Sequence, residues 1–179
     1  DMKVLCWYEV EGVSPAQRST RQRQKALREL DVLRAKHMRY FCDIAEADEF
    51  GKLLWATGCA ASADLSPELI FLGDGAVWIW NLVSKYFAHA IQSVDWYHAE
   101  ENLEKVATAA FSDLIRRAEW LESTKQALWD GCVEEVISGC QSLSDSCEVA
   151  RKAVHYFHTN AERMRYHQFR AAGYLIGSG

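Results

Sequence analysis

The sequence predicts a mixed α/β fold that gives way to an all-helical segment. Three observations carry this. Between Leu69 and Val94, two short apolar runs, one closed by glycines and the other by an acid, bracket an aromatic-rich amphipathic stretch, the pattern of strand, helix, strand. Upstream, Met2 to Val10 (MKVLCWYEV) and Arg39 to Ile44 (RYFCDI) are rich in aromatic and β-branched residues and read as two more strands. Beyond His98 strand signals nearly vanish, and four stretches with helical spacing follow. The chain has 179 residues, 49% hydrophobic and 25% charged, which suits one soluble globular domain with a real core. No apolar run approaches the length of a membrane span, and no signal peptide is visible.

Taken in order, the first strand is broken by Val13-Ser14-Pro15. Gln17 to Lys36 is polar and basic, with Ala26, Leu27, Leu30 and Leu33 at helical spacing, so a basic helix with one narrow apolar stripe is expected over 17–36. The strand at Arg39 to Ile44 leads to Ala47–Ala60, where Phe50, Leu53, Leu54 and Thr57 share a helical face. Asp64 to Pro67 is a loop into the strand Leu69 to Leu72, which breaks at Gly73-Asp74-Gly75. A helix from Val77 to Phe87 and a strand from Ala90 to Val94 follow, the latter ending at Asp95. The four later helices are placed at Ala99 to Leu114, Ile115 to Asp130, Val133 to Leu143 and Ser146 to Arg165. Leu103, Val106, Ala110 and Leu114 form a stripe on the first of these, and Trp120 and Trp129 are candidates to pack between helices.

Charge and cysteine usage narrow the class. Eight Lys/Arg against Glu29 and Asp31 give Arg18 to Arg39 a local +6, and five against Glu162 give Arg151 to Arg170 a local +4. The whole chain carries −5, so the remainder is acidic. Two basic segments on an acidic body suit a protein that grips a polyanion locally, although solvated helix faces show the same pattern. The six cysteines, at 6, 42, 59, 132, 140 and 147, contain no Cys-x-x-Cys pair, and a reduced cytoplasmic compartment is expected rather than a disulfide framework.

The candidate chemistry sits at the two strand ends. Asp74 lies between glycines, whose backbone freedom lets its carboxylate be presented rather than packed. Asp95 and His98 share the first turn of a helix if that helix starts at Asp95. In open α/β sheets the carboxyl edge is where ligands bind. Each acid also has a structural reading: Gly-Asp-Gly is a common turn, and Asp95 can serve as an N-cap. His155 and His158 share a helical face but have no paired Cys or acid at metal-binding spacing, so they read as structural.

GDGAVWIWNL (73–82), AIQSVDWYHAEENL (90–103) and RMRYHQFRAAGYLIGSG (163–179) resemble bacterial insertion-sequence transposases of the ISKra group, relatives of the Mutator-like DDE transposases. The resemblance covers most of the chain. It implies an RNase H-like mixed sheet with flanking helices, in which three acids hold two divalent ions, Mg²⁺ or Mn²⁺. By resemblance Asp74 is the second acid of that triad, both catalytic and metal-binding, and Asp95 to His98 matches an Asp-x-x-His signature that supports the site. The first acid normally precedes the strand matched by Met2 to Glu11, and the final glutamate follows the Ile-Gly-Ser-Gly motif. The resemblance therefore places 1–98 as a partial catalytic core, 99–165 as a helical insertion that closes over the site, and 166–179 as the approach to the glutamate-bearing helix. The beginning at Asp1 and the ending at Gly-Ser-Gly fit an internal piece of a larger protein.

In such enzymes carboxylates hold the ions ~3.5–4 Å apart, so that one activates the nucleophile and the other stabilises the leaving oxygen. The expectation is a fragment of a DNA transposase, nucleoid-associated in the bacterial cytoplasm and homo-oligomeric when complete. It is inactive alone, because one acid cannot seat two metals. Its partner is DNA, at transposon ends and target, gripped by Arg18, Arg21, Arg23, Lys25 and Arg28 and by Arg151, Lys152, Arg163, Arg165 and Arg170. Two rivals stand beside this: a DNA-binding remnant of the same fold without catalysis, and a phosphatase-like α/β enzyme with Asp74 as nucleophile. The latter requires a second acid or a Lys beside Asp74.

Overall fold

A computed structural model describes residues 2–10 and 35–177. The expected mixture of strands and helices is present: β1 (Lys3–Val10), β2 (Ala35–Asp43), α1 (Ala47–Ala60), β3 (Ile70–Gly73), α2 (Val77–Tyr86), β4 (Ile91–Val94), then α3 (Trp96–Ala110), α4 (Leu114–Trp129), α5 (Val133–Gln141), α6 (Glu148–Thr159) and α7 (Tyr166–Ala171). The basic stretch 17–34 lies outside the described residues. The last two positions of the helix expected over 17–36, Ala35 and Lys36, are strand instead. Ladder pairing with β1 overrides their local helical preference there, Val10 facing Ala35 and Glu9 facing Lys36.

The sheet is two ladders rather than one. β1 and β2 are antiparallel, Lys3 facing Asp43 and Cys6 facing Tyr40, with a register shift between Trp7 and Glu9. His37, at φ 55°, occupies that irregularity, consistent with a bulge that takes up one extra residue. In the second ladder Ile91 N–H donates to Leu69 O (2.9 Å) and Asp95 N–H to Gly73 O (2.7 Å). The two numbers rise together, so β3 and β4 are parallel, the arrangement a helical crossover through α2 permits. Among the described residues no ladder joins β1 to β3.

The chain divides into two compact units, one within Asp1–Phe71 and Ala76–Gln92, the other Leu72–Gly75 with Ser93–Ser178. In the first, aromatic residues make the core: Trp7, Phe50, Leu54, Ala63, Leu82 and Phe87 are buried together, with Phe41, Phe71, Trp78 and Tyr86 packed against them. Trp7 Nε1–H donates to Thr57 Oγ1 (2.9 Å), so the buried indole keeps its polar atom satisfied. Thr57 therefore belongs to the apolar face of α1 as a bonding partner rather than as bulk.

The second unit holds the tip of β3, and with it Asp74, against five helices. Asp95 Oδ1 accepts from Tyr97 N–H (2.9 Å) and starts α3 at Trp96, three residues before the expected start. α3 ends at Ala110 because Asp113 caps the next helix, accepting from Ile115 and Arg116 N–H. The stripe on α3 consequently runs through Ala99, Leu103, Val106 and Ala107, all buried, whereas Leu114 is exposed on α4. Trp129 packs edge-on to Trp96 (5.1 Å between centroids), and Trp120 packs on Phe111 (5.9 Å). The last helix, expected to reach Arg165, stops at Thr159 and is followed by a 3-10 turn over Ala161–Met164. All six cysteines are free; burial pushes the Cys140 thiol up to about 12. No helix among the described residues is long and apolar enough to cross a membrane.

Candidate functional site

Both acids stand where their strands end. Gly73 closes β3 and Asp74 follows; Val94 closes β4 and Asp95 follows; Asp95 N–H to Gly73 O ties the two ends together. Their environments differ sharply. Asp74 is exposed, whereas Asp95 is 2% exposed. Asp95 is committed to the Tyr97 amide, and His98 Nδ1 lies 3.7 Å from the same Oδ1 with half its side chain exposed. The capping role weighed for Asp95 is therefore real, and it fixes the residue at the strand end.

The Gly-Asp-Gly turn is held from outside the motif. Tyr156, on α6, donates its hydroxyl to the Asp74 carbonyl (2.9 Å). Asn160, the residue that ends α6, donates Nδ2–H to the Gly75 carbonyl (3.1 Å) and to its own Tyr156 carbonyl (3.1 Å). Gly75 has φ +96°, and a Cβ there would come within 2.6 Å of the Tyr156 ring. Glycine is required twice, by the left-handed backbone and by the close approach of the aromatic ring. The Tyr156 hydroxyl is held well above the usual phenol range, first by burial and then by the charges of Asp74 and Asp95. Both carboxylates thus act on this one hydroxyl. Below the acids, Tyr166 donates to the Val94 carbonyl (3.1 Å) and stacks edge-on with Trp96 (5.2 Å), and Trp96 N–H donates to Ile176 O (2.7 Å). Tyr156, Asn160 and Tyr166 escaped the sequence reading; no local pattern links residues 72 to 85 positions apart.

The basic residues of the second segment fall into two groups. Arg151 and Lys152 are exposed on α6, Lys152 in an i,i+4 pair with Glu148 (2.8 Å) and Arg151 donating to Ser144 O (3.1 Å). Arg163, Arg165 and Arg170 are partly buried. Arg165 bonds both Glu134 oxygens (3.0 and 2.7 Å) and Glu162 (2.8 Å), and the Arg170 guanidinium lies 3.8 Å over the Trp129 ring while donating to Trp129 O. These two arginines already have anionic or aromatic partners within their own unit. Arg18, Arg21, Arg23, Lys25 and Arg28 lie outside the described residues. His155 and His158 are exposed on α6.

The Arg165 bond holds the Glu134 carboxyl down at about 2, against an ordinary value of 4.5. A depressed carboxylate contributes stability that is complete above its unfolded value and disappears as pH falls through the folded one. Thermal melts between pH 5 and pH 2 should therefore show a steeper acid loss for the native chain than for Glu134→Gln. Parallel curves would mean that solvent screening has removed the contribution of this exposed pair.

Hard divalent ions take oxygen ligands, and the exposed Asp74 carboxylate offers the right donor. It is one ligand: among the described residues no group of three His, Cys, Asp or Glu side chains is placed to hold a metal ion. No protein-family model matches the chain, and no curated protein or solved structure does either.

Proposed function

We propose that this chain is part of a DNA transposase with an RNase H-like core, inactive by itself, whose complete form cleaves phosphodiesters at transposon ends and transfers the strands. The observation that carries this reading is the pair of carboxylates that directly follow two hydrogen-bonded parallel strands, one exposed and one fixed. Two divalent ions supply nucleophile activation and leaving-oxygen stabilisation in that chemistry. Asp74 holds one of them through its carboxylate, and Asp95 with His98 supports the strand end beside it. The reading requires two further acids and one further strand.

A second reading is a DNA-binding remnant that keeps the fold without catalysis. What favours it is Asp95, buried and engaged as a cap, which leaves Asp74 as the exposed carboxylate of the pair.

Both readings expect DNA binding that is tight at low salt, weakens steeply with salt and has little sequence preference, because neutralised phosphates release counterions. Neutralising Arg21, Arg23, Lys25 and Arg28 together should lower affinity. It should also shallow the slope of log affinity against log salt by roughly 0.9 for each phosphate no longer neutralised. An unchanged slope in a fluorescence-anisotropy titration would remove the first basic segment from the interface. Catalysis then separates the readings: the complete protein nicks transposon ends in Mg²⁺ or Mn²⁺ under the first and leaves them intact under the second.

A further inference from the structure

One face of α6 gathers four basic side chains at the surface. Ala150, Ala153 and Phe157 bury one side of the helix, and Arg151, Lys152, His155 and His158, on the other side, are all exposed. Arg151, His155 and His158 follow the i, i+4, i+7 spacing and form a row, about 10 Å long at the helical rise. Glu148 is the one acid of α6, and Lys152 bonds it at 2.8 Å. With neutral imidazoles the face therefore carries +1, from Arg151 and Lys152 against Glu148; two protonated imidazoles raise it to +3. The histidines, not the permanent cations, decide how strongly this face attracts an anion.

Imidazole is the side chain that ordinarily changes charge between pH 5 and 8. His37 lies 3.1 Å from Glu9 and His98 3.7 Å from Asp95, whereas among the described residues no carboxylate comes within ion-pair distance of His155 or His158. The helices packed against α6 are α3 and α5. On α3, beside His98, Glu101 bonds Lys105 (3.0 Å) and Glu100 bonds Lys125; on α5, Glu134 bonds Arg165. Glu104, Glu135 and the Asp74 of the adjoining turn are exposed acids around α6.

From this geometry we infer that the exposed face of α6 is a phosphate-binding surface for DNA whose grip strengthens as pH falls, His155 and His158 joining Arg151 and Lys152 once they are protonated. The inference rests on the reading of the chain as DNA-binding and adds two ligands to it. Arg165 and Arg170, engaged within their own unit, fall outside the surface. A row of about 10 Å matches roughly three phosphates of one strand, at 3.4 Å of duplex axis each. Each imidazolium that neutralises one phosphate adds about 0.9 to the salt slope, which is roughly eightfold in affinity at 0.1 M salt against a 1 M reference. The gain is present below the imidazole range and is lost as pH rises through it.

The test uses the chain as it stands, with a short fluorescein-labelled DNA duplex and fluorescence anisotropy across a salt series at about pH 8 and about pH 5.5. His155→Gln/His158→Gln keeps polar, uncharged side chains at two exposed positions, and circular dichroism checks that it folds. At pH 8 it should bind as the native chain does. At pH 5.5 and 0.1 M salt the native chain should bind up to about 60-fold more tightly than the double variant, with a salt slope steeper by roughly 1.8. Arg151→Gln/Lys152→Gln should weaken binding at both pH values. A double histidine variant that tracks the native chain at both pH values overturns the inference and leaves the DNA-binding reading standing. No binding by the native chain at either pH, even at low salt, overturns that reading itself. Tighter binding at pH 5.5 to phosphatidylserine-containing vesicles than to the duplex, lost in the same variant, assigns the face to a membrane surface and also overturns the inference.

Discussion

If the proposed transposase reading holds, Asp74→Ala in the complete protein should abolish strand cleavage and leave DNA affinity nearly intact. The two effects separate because they depend on different atoms. Under that reading affinity would come mainly from basic side chains on phosphates, whereas the exposed Asp74 at the end of β3 would offer oxygen donors to an ion. Removing one preorganised group that acts on developing charge costs on the order of 10²–10³ in rate, and loss of a metal ligand should exceed this. Asp95→Ala should act differently. Its carboxylate caps α3 and is almost fully buried, so the loss is one of stability, about 0.5–2 kcal/mol for the cap, with a smaller fall in rate through a loosened strand end. Cleavage of a labelled transposon end, beside a binding titration at several salt concentrations, checks both. Equal cleavage with Ala at position 74 would falsify the assignment of Asp74 as a metal ligand.

What the sequence made legible was whatever depends on neighbours in the chain. The helix Ala47–Ala60 matches its expected bounds, because periodicity and chain direction are local properties. The same holds for the strand end at Val94 and for helices after His98, and β3 ends at Gly73, one residue beyond the expected Leu72. What stayed hidden depends on distant partners. The charge of the second basic segment says nothing of Glu134, 31 residues before Arg165, or of the indole under Arg170. From sequence both arginines carry only their charge, and neither internal partner can be read from it. The turn at Asp74 reads as free because glycines flank it, yet its two carbonyls are fixed from α6. Glycine there marks a close approach as much as freedom.

In the first unit, Phe87→Ala should lower stability more than any of the variants above, by about 3–5 kcal/mol. Phe87 is fully buried and its ring packs on Trp7 (5.6 Å), Trp55 (5.4 Å) and Phe71 (5.4 Å), so truncation strips packing from α1, β1 and β3 at once. Against a typical domain stability of roughly 5–15 kcal/mol, that loss is a large part of the whole. Gly58 faces the same ring. A Cβ there would lie 2.5 Å from Phe87 Cζ and 2.9 Å from Trp7 Cζ2, so Gly58→Ala overpacks the site that Phe87→Ala empties, at a cost of about 1–3 kcal/mol. The two defects have opposite sign in volume and meet at one atom. Combining Gly58→Ala with Phe87→Leu should therefore cost clearly less than the sum of the single changes, a coupling of ~0.5–3 kcal/mol by denaturant melts. Strict additivity would show that the helix backbone at Gly58 moves away from the ring, and that the close approach of α1 to Phe87 is not what the glycine secures.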